Sequence, residues 1–184
     1  FEINARRSAE AQLQSKLEKL ADIQSAVIAE SLWNVANEQI ELTLTALLAD
    51  SAITKIFHFA RFDIGVLFKT FGVVTAPVYC TKIASRLART YTDRHGLKEL
   101  VRENLGIDLS KSEQSSDWGA SELSEAQLRY AGSDVLHLHA LRQRLDHMLA
   151  REGRSELAQA AFDFLPARAK LDLAGWPEVD IFAH

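Results

Sequence analysis

The chain has 184 residues, long enough for one domain with a real core, and 47% of them are apolar, which excludes wholesale disorder. A lone cysteine, Cys80, excludes an internal disulfide framework; with no signal-peptide pattern and no run of eighteen or so apolar residues, the expectation is a cytoplasmic protein with no membrane span. The net charge of −4 is unevenly spread: residues 1–50 hold four Lys and Arg against eight Asp and Glu, residues 51–184 hold seventeen of each, and nucleic acid as a partner of the second part is not excluded.

From Phe1 to Ile64 there is neither Gly nor Pro, and Leu13, Leu17, Leu20, Ile23 and Val27 recur at helical spacing, which predicts a long amphipathic helix. A second helix is predicted from Asn34 or Asn37 to Asp50, with no strand before Ile53. The first 43 residues are similar to the helical stalk of a bacterial sensor histidine kinase's sensing domain, and equally to a generic packed or dimerising helix. The chain starts at Phe1 rather than Met, which hints at a trimmed or composite chain.

Ser51 to Phe59 turns β-like, with Ile53, Ile56, Phe57 and Phe59 as the apolar run of a buried parallel strand. His58 ends it, placed either to close the core edge or to meet a metal. A helix is expected from Ala60, with Val66, Leu67 and Phe71 inward and Gly72 as its stop; it carries Asp63 at the carboxyl edge of the sheet, where α/β sites usually lie. Val78 to Thr81 suggests a second short strand. In the helix that follows, Lys82, Arg86 and Arg89 share one face, with Arg94 and Lys98 beyond and Asp93 the only acid in between. Such a stripe suits backbone phosphates, or is simply a solvated face.

Leu97 to Leu105 reads as a short helix stopped by Gly106, followed by a polar loop in which Trp118 is an anchor or a stacking ring. Ser124 and Gln127 form a capping box that opens a helix to Leu149, its apolar stripe including Leu128, Val135, Leu138 and Leu145. Tyr130 and Asp134, four residues apart, project from one side of it. A carboxylate beside a phenol suits metal-assisted hydrolysis, the carboxylate holding a hard cation and the phenol orienting water; a core-edge Tyr with a solvated Asp is the alternative. Ser155 caps a further helix to Phe164, and Pro166 starts a last turn.

Ser116–Asp117–Trp118 together with LSEAQLRYAGSDVL from Leu123 resembles the third motif of the ribonuclease D family of 3'-5' exoribonucleases, and KIFHFARFDIGVL from Lys55 resembles the second. The resemblance covers about 44–184. It implies an α/β, helix-rich, RNase H-like exonuclease fold, metal ligation by Asp63 and Asp134 with Mg²⁺ or Mn²⁺, and Tyr130 positioning the attacking water. It also implies RNA 3' ends as partner, with tRNA precursors as one candidate, and Lys82, Arg86, Arg89 and Lys98 on the backbone. Relatives carry Asp-x-Glu in a first strand; here no Asp is followed two residues later by Asp or Glu. The reading is therefore a partial fold in which a helical segment, 1–43, replaces the expected first strands and offers a dimerisation surface. Metal occupancy should be weak or partial and activity impaired. A catalytically inactive RNA-binding or helix-mediated interaction protein is the rival. The length leaves no room for the helical RNA-binding domains of longer relatives, so a nuclease domain alone is expected.

Overall fold

The computed structural model describes residues 36, 38–110, 112–113, 115–120, 122–179 and 181–183. The chain divides into two compact units, 1–46 and 47–184. The expected amphipathic helix through Leu13 and Val27 lies outside the described residues. Of the first unit, the described residues are helical and belong to α1, described over 38–49, where the Thr43 hydroxyl donates to the Gln39 carbonyl at 2.7 Å.

The second unit runs β1 (Lys55–Phe57), α2 (Ala60–Phe71), β2 (Val78–Cys80), α3 (Thr81–Ala88), α4 (Leu97–Leu105), α5 (Glu125–Leu136), α6 (Leu138–Arg151) and α7 (Ser155–Leu173). Among the described residues the sheet has two parallel strands, Ile56 opposite Tyr79. So small a sheet cannot stand alone, and helices supply most of the core. Tyr79 joins the layers: its ring lies 4.7 Å from Phe162 of α7, and its hydroxyl donates to Asp146 of α6 at 2.8 Å. Leu138, Leu141, Leu145 and Leu149 line the buried side of α6 at three- and four-residue steps. Leu145→Ala would leave a cavity in the middle of that row and is expected to cost about 2–5 kcal/mol, read from a urea melt.

Glycine closes two helices as predicted. Gly72 and Gly106 sit in the left-handed region, and each donates its N–H back into its helix, to Phe68 and Arg102.

Three elements differ from expectation. The predicted helix from Ser124 to Leu149 breaks at His137 into α5 and α6. On α5 the expected inward residues Leu128 and Val135 are 57% and 58% exposed, whereas Gln127 is buried and Tyr130 and Asp134 are half-buried. The break frees α5 from the packing line of α6, and α5 turns its polar side inward. On α2 the buried residues are Ala60 and Ile64, while Val66 is exposed, because α7 covers the side of α2 that begins at its first turn. Finally, α7 passes through Pro166 without stopping and has Arg154, not Ser155, at its N-cap, with no side-chain cap. A proline inside a helix forfeits one hydrogen bond; the buried residues Phe162, Leu165 and Ala169 on either side hold the helix together across it.

Candidate active site

A cleft of about 650 Å³ opens beside the end of β1. Asp63, Tyr130 and Asp134 all line it, together with His58, Lys98, Glu99 and His139. Residues 67 to 71 positions apart in sequence are thereby brought to one cavity. Asp63 arrives by a sharp turn: β1 ends at Phe57, Phe59 takes φ 72°, and α2 starts at Ala60 with Asp63 in its first turn. A left-handed non-glycine residue costs about 1–2 kcal/mol and is found where surrounding packing holds it.

The other wall is built by the predicted capping box, which is present in full. Gln127 N–H donates to the Ser124 hydroxyl at 3.2 Å, and Gln127 Oε1 accepts from Ser124 N–H at 2.9 Å. Gln127 does more than cap. Its Nε2 donates to Ser116 Oγ at 3.1 Å and to the Asp117 carbonyl at 2.9 Å, which ties the Ser-Asp-Trp segment to the start of α5. Trp118 is a loop anchor: its indole N–H donates to the Glu113 carbonyl at 3.1 Å, and its ring lies 6.0 Å from Tyr130.

Burial drives the electrostatics. It raises both Asp63 and Asp134 above the usual carboxylate range; the Tyr130 phenol opposes the shift at Asp134, and no cationic side chain offsets it at either. Tyr130 is itself raised by burial and by the Asp134 charge. His58 is pushed down to about 4 by burial and by the Lys82 charge, with Glu99 opposing. The Thr81 hydroxyl donates to the Phe57 carbonyl at 3.2 Å, so His58 Nδ1, 2.9 Å from that oxygen, acts as donor to it. A neutral His58 then keeps a lone pair on Nε2. Among the described residues no three His, Cys, Asp or Glu side chains gather closely enough to hold a metal ion. The chemistry of the donors still fits a hard divalent cation in part: two uncompensated carboxylates whose charge the site penalises until a cation arrives.

The basic residues do not form one stripe. Lys98 lines the cleft; Lys82 and Arg86 line a second cavity, described below. Arg89 corrects the expectation of a phosphate contact. It is 2% exposed, donates to the Ser85 hydroxyl at 3.3 Å and the Arg94 carbonyl at 2.9 Å, and pairs with Glu103, so its charge is spent inside the fold. The sequence reading also passed over Glu99 and His139. Nothing in their spacing separates them from other surface residues, and only the packing of α4 and α6 beside β1 brings them to the cleft.

The sequence model of the 3'-5' exonuclease family matches residues 3–150. The chain belongs to the 3'-5' exonuclease family. Its match begins at residue 3 and so takes in most of the segment that the sequence reading had set apart. The chain is similar to ribonuclease D of Acidiphilium cryptum, 40% identical over 111 residues, 60% of this chain and 28% of that protein. It thus spans little more than a quarter of that relative's length. Among solved structures, Brucella melitensis NrnC is 60% identical with a TM-score of 0.75, covering 77% of this chain and 68% of that one. NrnC has also been solved with bound Mg²⁺ and bound to pGG. Escherichia coli RNase D, an exoribonuclease involved in structured RNA processing, is 28% identical with a TM-score of 0.65, over 73% of this chain and 36% of that one. The chain is therefore ribonuclease D-like, with the expected helix-rich α/β, RNase H-like fold. No helix among the described residues is long and apolar enough to cross a membrane.

Proposed function

We propose that this chain carries a ribonuclease D-like 3'-5' exonuclease site that acts on RNA 3' ends, with reduced activity. The observation that carries the reading is the convergence of Asp63, Tyr130 and Asp134 on one cleft with Lys98 beside them. Asp63 and Asp134 would hold Mg²⁺ or Mn²⁺, which supplies charge stabilisation for the phosphodiester and an acidified water. Tyr130, held against Asp134, orients the water by its hydroxyl. Lys98 draws the strand's phosphate toward the cleft, and Lys82 and Arg86 attract the backbone from outside it. Neutral His58 leaves an acceptor nitrogen at the cleft wall. No side chain of this set needs to act as nucleophile.

Reduced activity follows from the missing Asp-x-Glu. Two carboxylates grip one cation weakly, occupancy is partial, and a clamp on both attacking and leaving oxygens is not assembled. The same absence favours a second reading, an RNA-binding protein without catalysis. Residues 44–184 are proposed as the nuclease domain, in the cytoplasm, with tRNA precursors as one substrate. Residues 1–43 are proposed as a separate segment through which the chain dimerises; the compact unit ending at residue 46 supports a division near there, and the family match from residue 3 speaks against it.

A timed digestion of 5'-labelled single-stranded RNA in Mn²⁺ tests this. The expected result is slow trimming from the 3' end, at least about a hundredfold below an intact two-metal nuclease, that vanishes in Asp134→Ala. No trimming at any enzyme concentration, with RNA still bound, selects the second reading. Trimming that survives Asp134→Ala sinks the assignment of the site.

A further inference from the structure

Resting on the exonuclease reading, we infer that the cavity beside the cleft, walled by Phe59, Arg61, Lys82, Arg86, Phe164 and Arg168, is a second nucleic-acid subsite that holds the strand upstream of the 3' end. The cavity measures about 340 Å³, at the lower end of the range for small-ligand pockets and of a size for one nucleotide. Four cations face it. Two of them are held rigidly as a wall: Arg61 and Arg168 both pair with Asp172, and both donate to the Pro177 carbonyl. The other two stand outside the Asp172 pairing: Lys82 lies 4.3 Å over the Phe59 ring, and Arg86 is exposed, its charge felt at His95. Counting Asp172 and the nearby Glu178, which acts on Arg61, the cavity keeps a surplus of about two positive charges. A wall in which cations outnumber acids is what a backbone phosphate would neutralise.

The rings add the second half of the chemistry. Phe59 and Phe164 are both partly exposed at the cavity, and exposed aromatic faces stack bases of any sequence. The position ties the cavity to the cleft. His58 lines the cleft and Phe59 lines the cavity, so two residues joined by one peptide, about 3.8 Å apart at Cα, divide the two spaces. Phe59 takes its left-handed backbone at that divide. Lys82 is felt in both, over Phe59 in the cavity and by its charge at His58 in the cleft. A strand whose 3' nucleotide sits in the cleft therefore meets aromatic rings and cations as soon as it crosses that ridge.

The test measures anisotropy of 5'-labelled single-stranded RNA of two and eight nucleotides, in EDTA and across a salt series, with the whole chain. Arg86→Ala should weaken the 8-mer about fivefold to tenfold at low salt and reduce the salt slope by roughly 0.7, the value for one phosphate contact on a single strand. Phe59→Ala should weaken the 8-mer about tenfold with the slope unchanged, and Phe59→Trp should restore it, which separates stacking from a change in folding. The 2-mer should lose less than twofold in each. If the 8-mer is unaffected by Arg86→Ala and by the charge reversal Arg86→Glu, or if the 2-mer falls in parallel with it, the subsite does not exist. If 5'-AMP displaces the 8-mer in the wild type and loses its affinity in Arg86→Ala while 8-mer binding persists, the cavity is a mononucleotide site and the proposal is overturned. Because these readings need no metal and no cleavage, they stand apart from the digestion: length-dependent binding without trimming sinks the exonuclease reading alone.

Discussion

Glu103→Ala is expected to lower the free energy of unfolding by about 3 kcal/mol, a large part of the roughly 5–15 kcal/mol that a domain possesses. The cause is the partner left behind. Arg89 is 2% exposed and cannot release its proton, so without Glu103 it keeps a buried charge held by the Ser85 hydroxyl, the Arg94 carbonyl and the Tyr91 ring 5.9 Å away, with no carboxylate. Glu103 itself is 36% exposed, which opens the pair to water on one side and puts the cost at the low end for a buried ion pair. Arg89→Met removes the charge together with the need for a partner and keeps an apolar stem, so it should cost only about 1 kcal/mol. Urea melts of the two variants give the order. RNA affinity gives the second readout: Arg89→Met should leave it unchanged per folded molecule. If that variant weakened RNA as much as Arg86→Ala does, the arginine would be reaching the strand and its burial would be misread.

That contrast marks where the sequence stops being informative. Lys82, Arg86 and Arg89 share a helix face by spacing, and spacing cannot say that Glu103, fourteen residues on, will reach back for the last of them. The capping box could be read because both of its hydrogen bonds close within three residues, and the stops at Gly72 and Gly106 because the left-handed backbone favours glycine locally. Asp63, Tyr130 and Asp134 were legible for a different reason: the surrounding motifs, not their own spacing, singled them out. The break at His137 was hidden by an apolar pattern that continues straight through it, and so the rotation of α5 was hidden too. The cavity of Phe59 and Arg168 joins residues more than a hundred positions apart, and Arg168 looks like any surface arginine until Asp172 and Arg61 are beside it.

At the cleft, stability and metal binding should oppose one another. Asp63 and Asp134 are both raised by burial, so the folded chain binds their protons more tightly than the unfolded chain does. Folding is then least penalised below the unfolded carboxylate value of about 3.9, and stability is lost as pH rises through the raised folded values. At pH 7 in EDTA the site works against the charge of both groups. The double variant Asp63→Asn, Asp134→Asn should therefore melt higher than the wild type, and the gap should close as the pH is lowered toward 4. Divalent cation reverses the order. At a concentration ten times its Kd a cation that binds only the folded chain adds about 1.4 kcal/mol, which the double variant, lacking both carboxylates, should not gain. Thermal melts in EDTA and in Mg²⁺ at pH 7, repeated at pH 4 to 5, carry all four comparisons. A double variant less stable than the wild type in EDTA would mean that cations of the chain already compensate these carboxylates. Equal gains from Mg²⁺ in both proteins would remove Asp63 and Asp134 as its ligands.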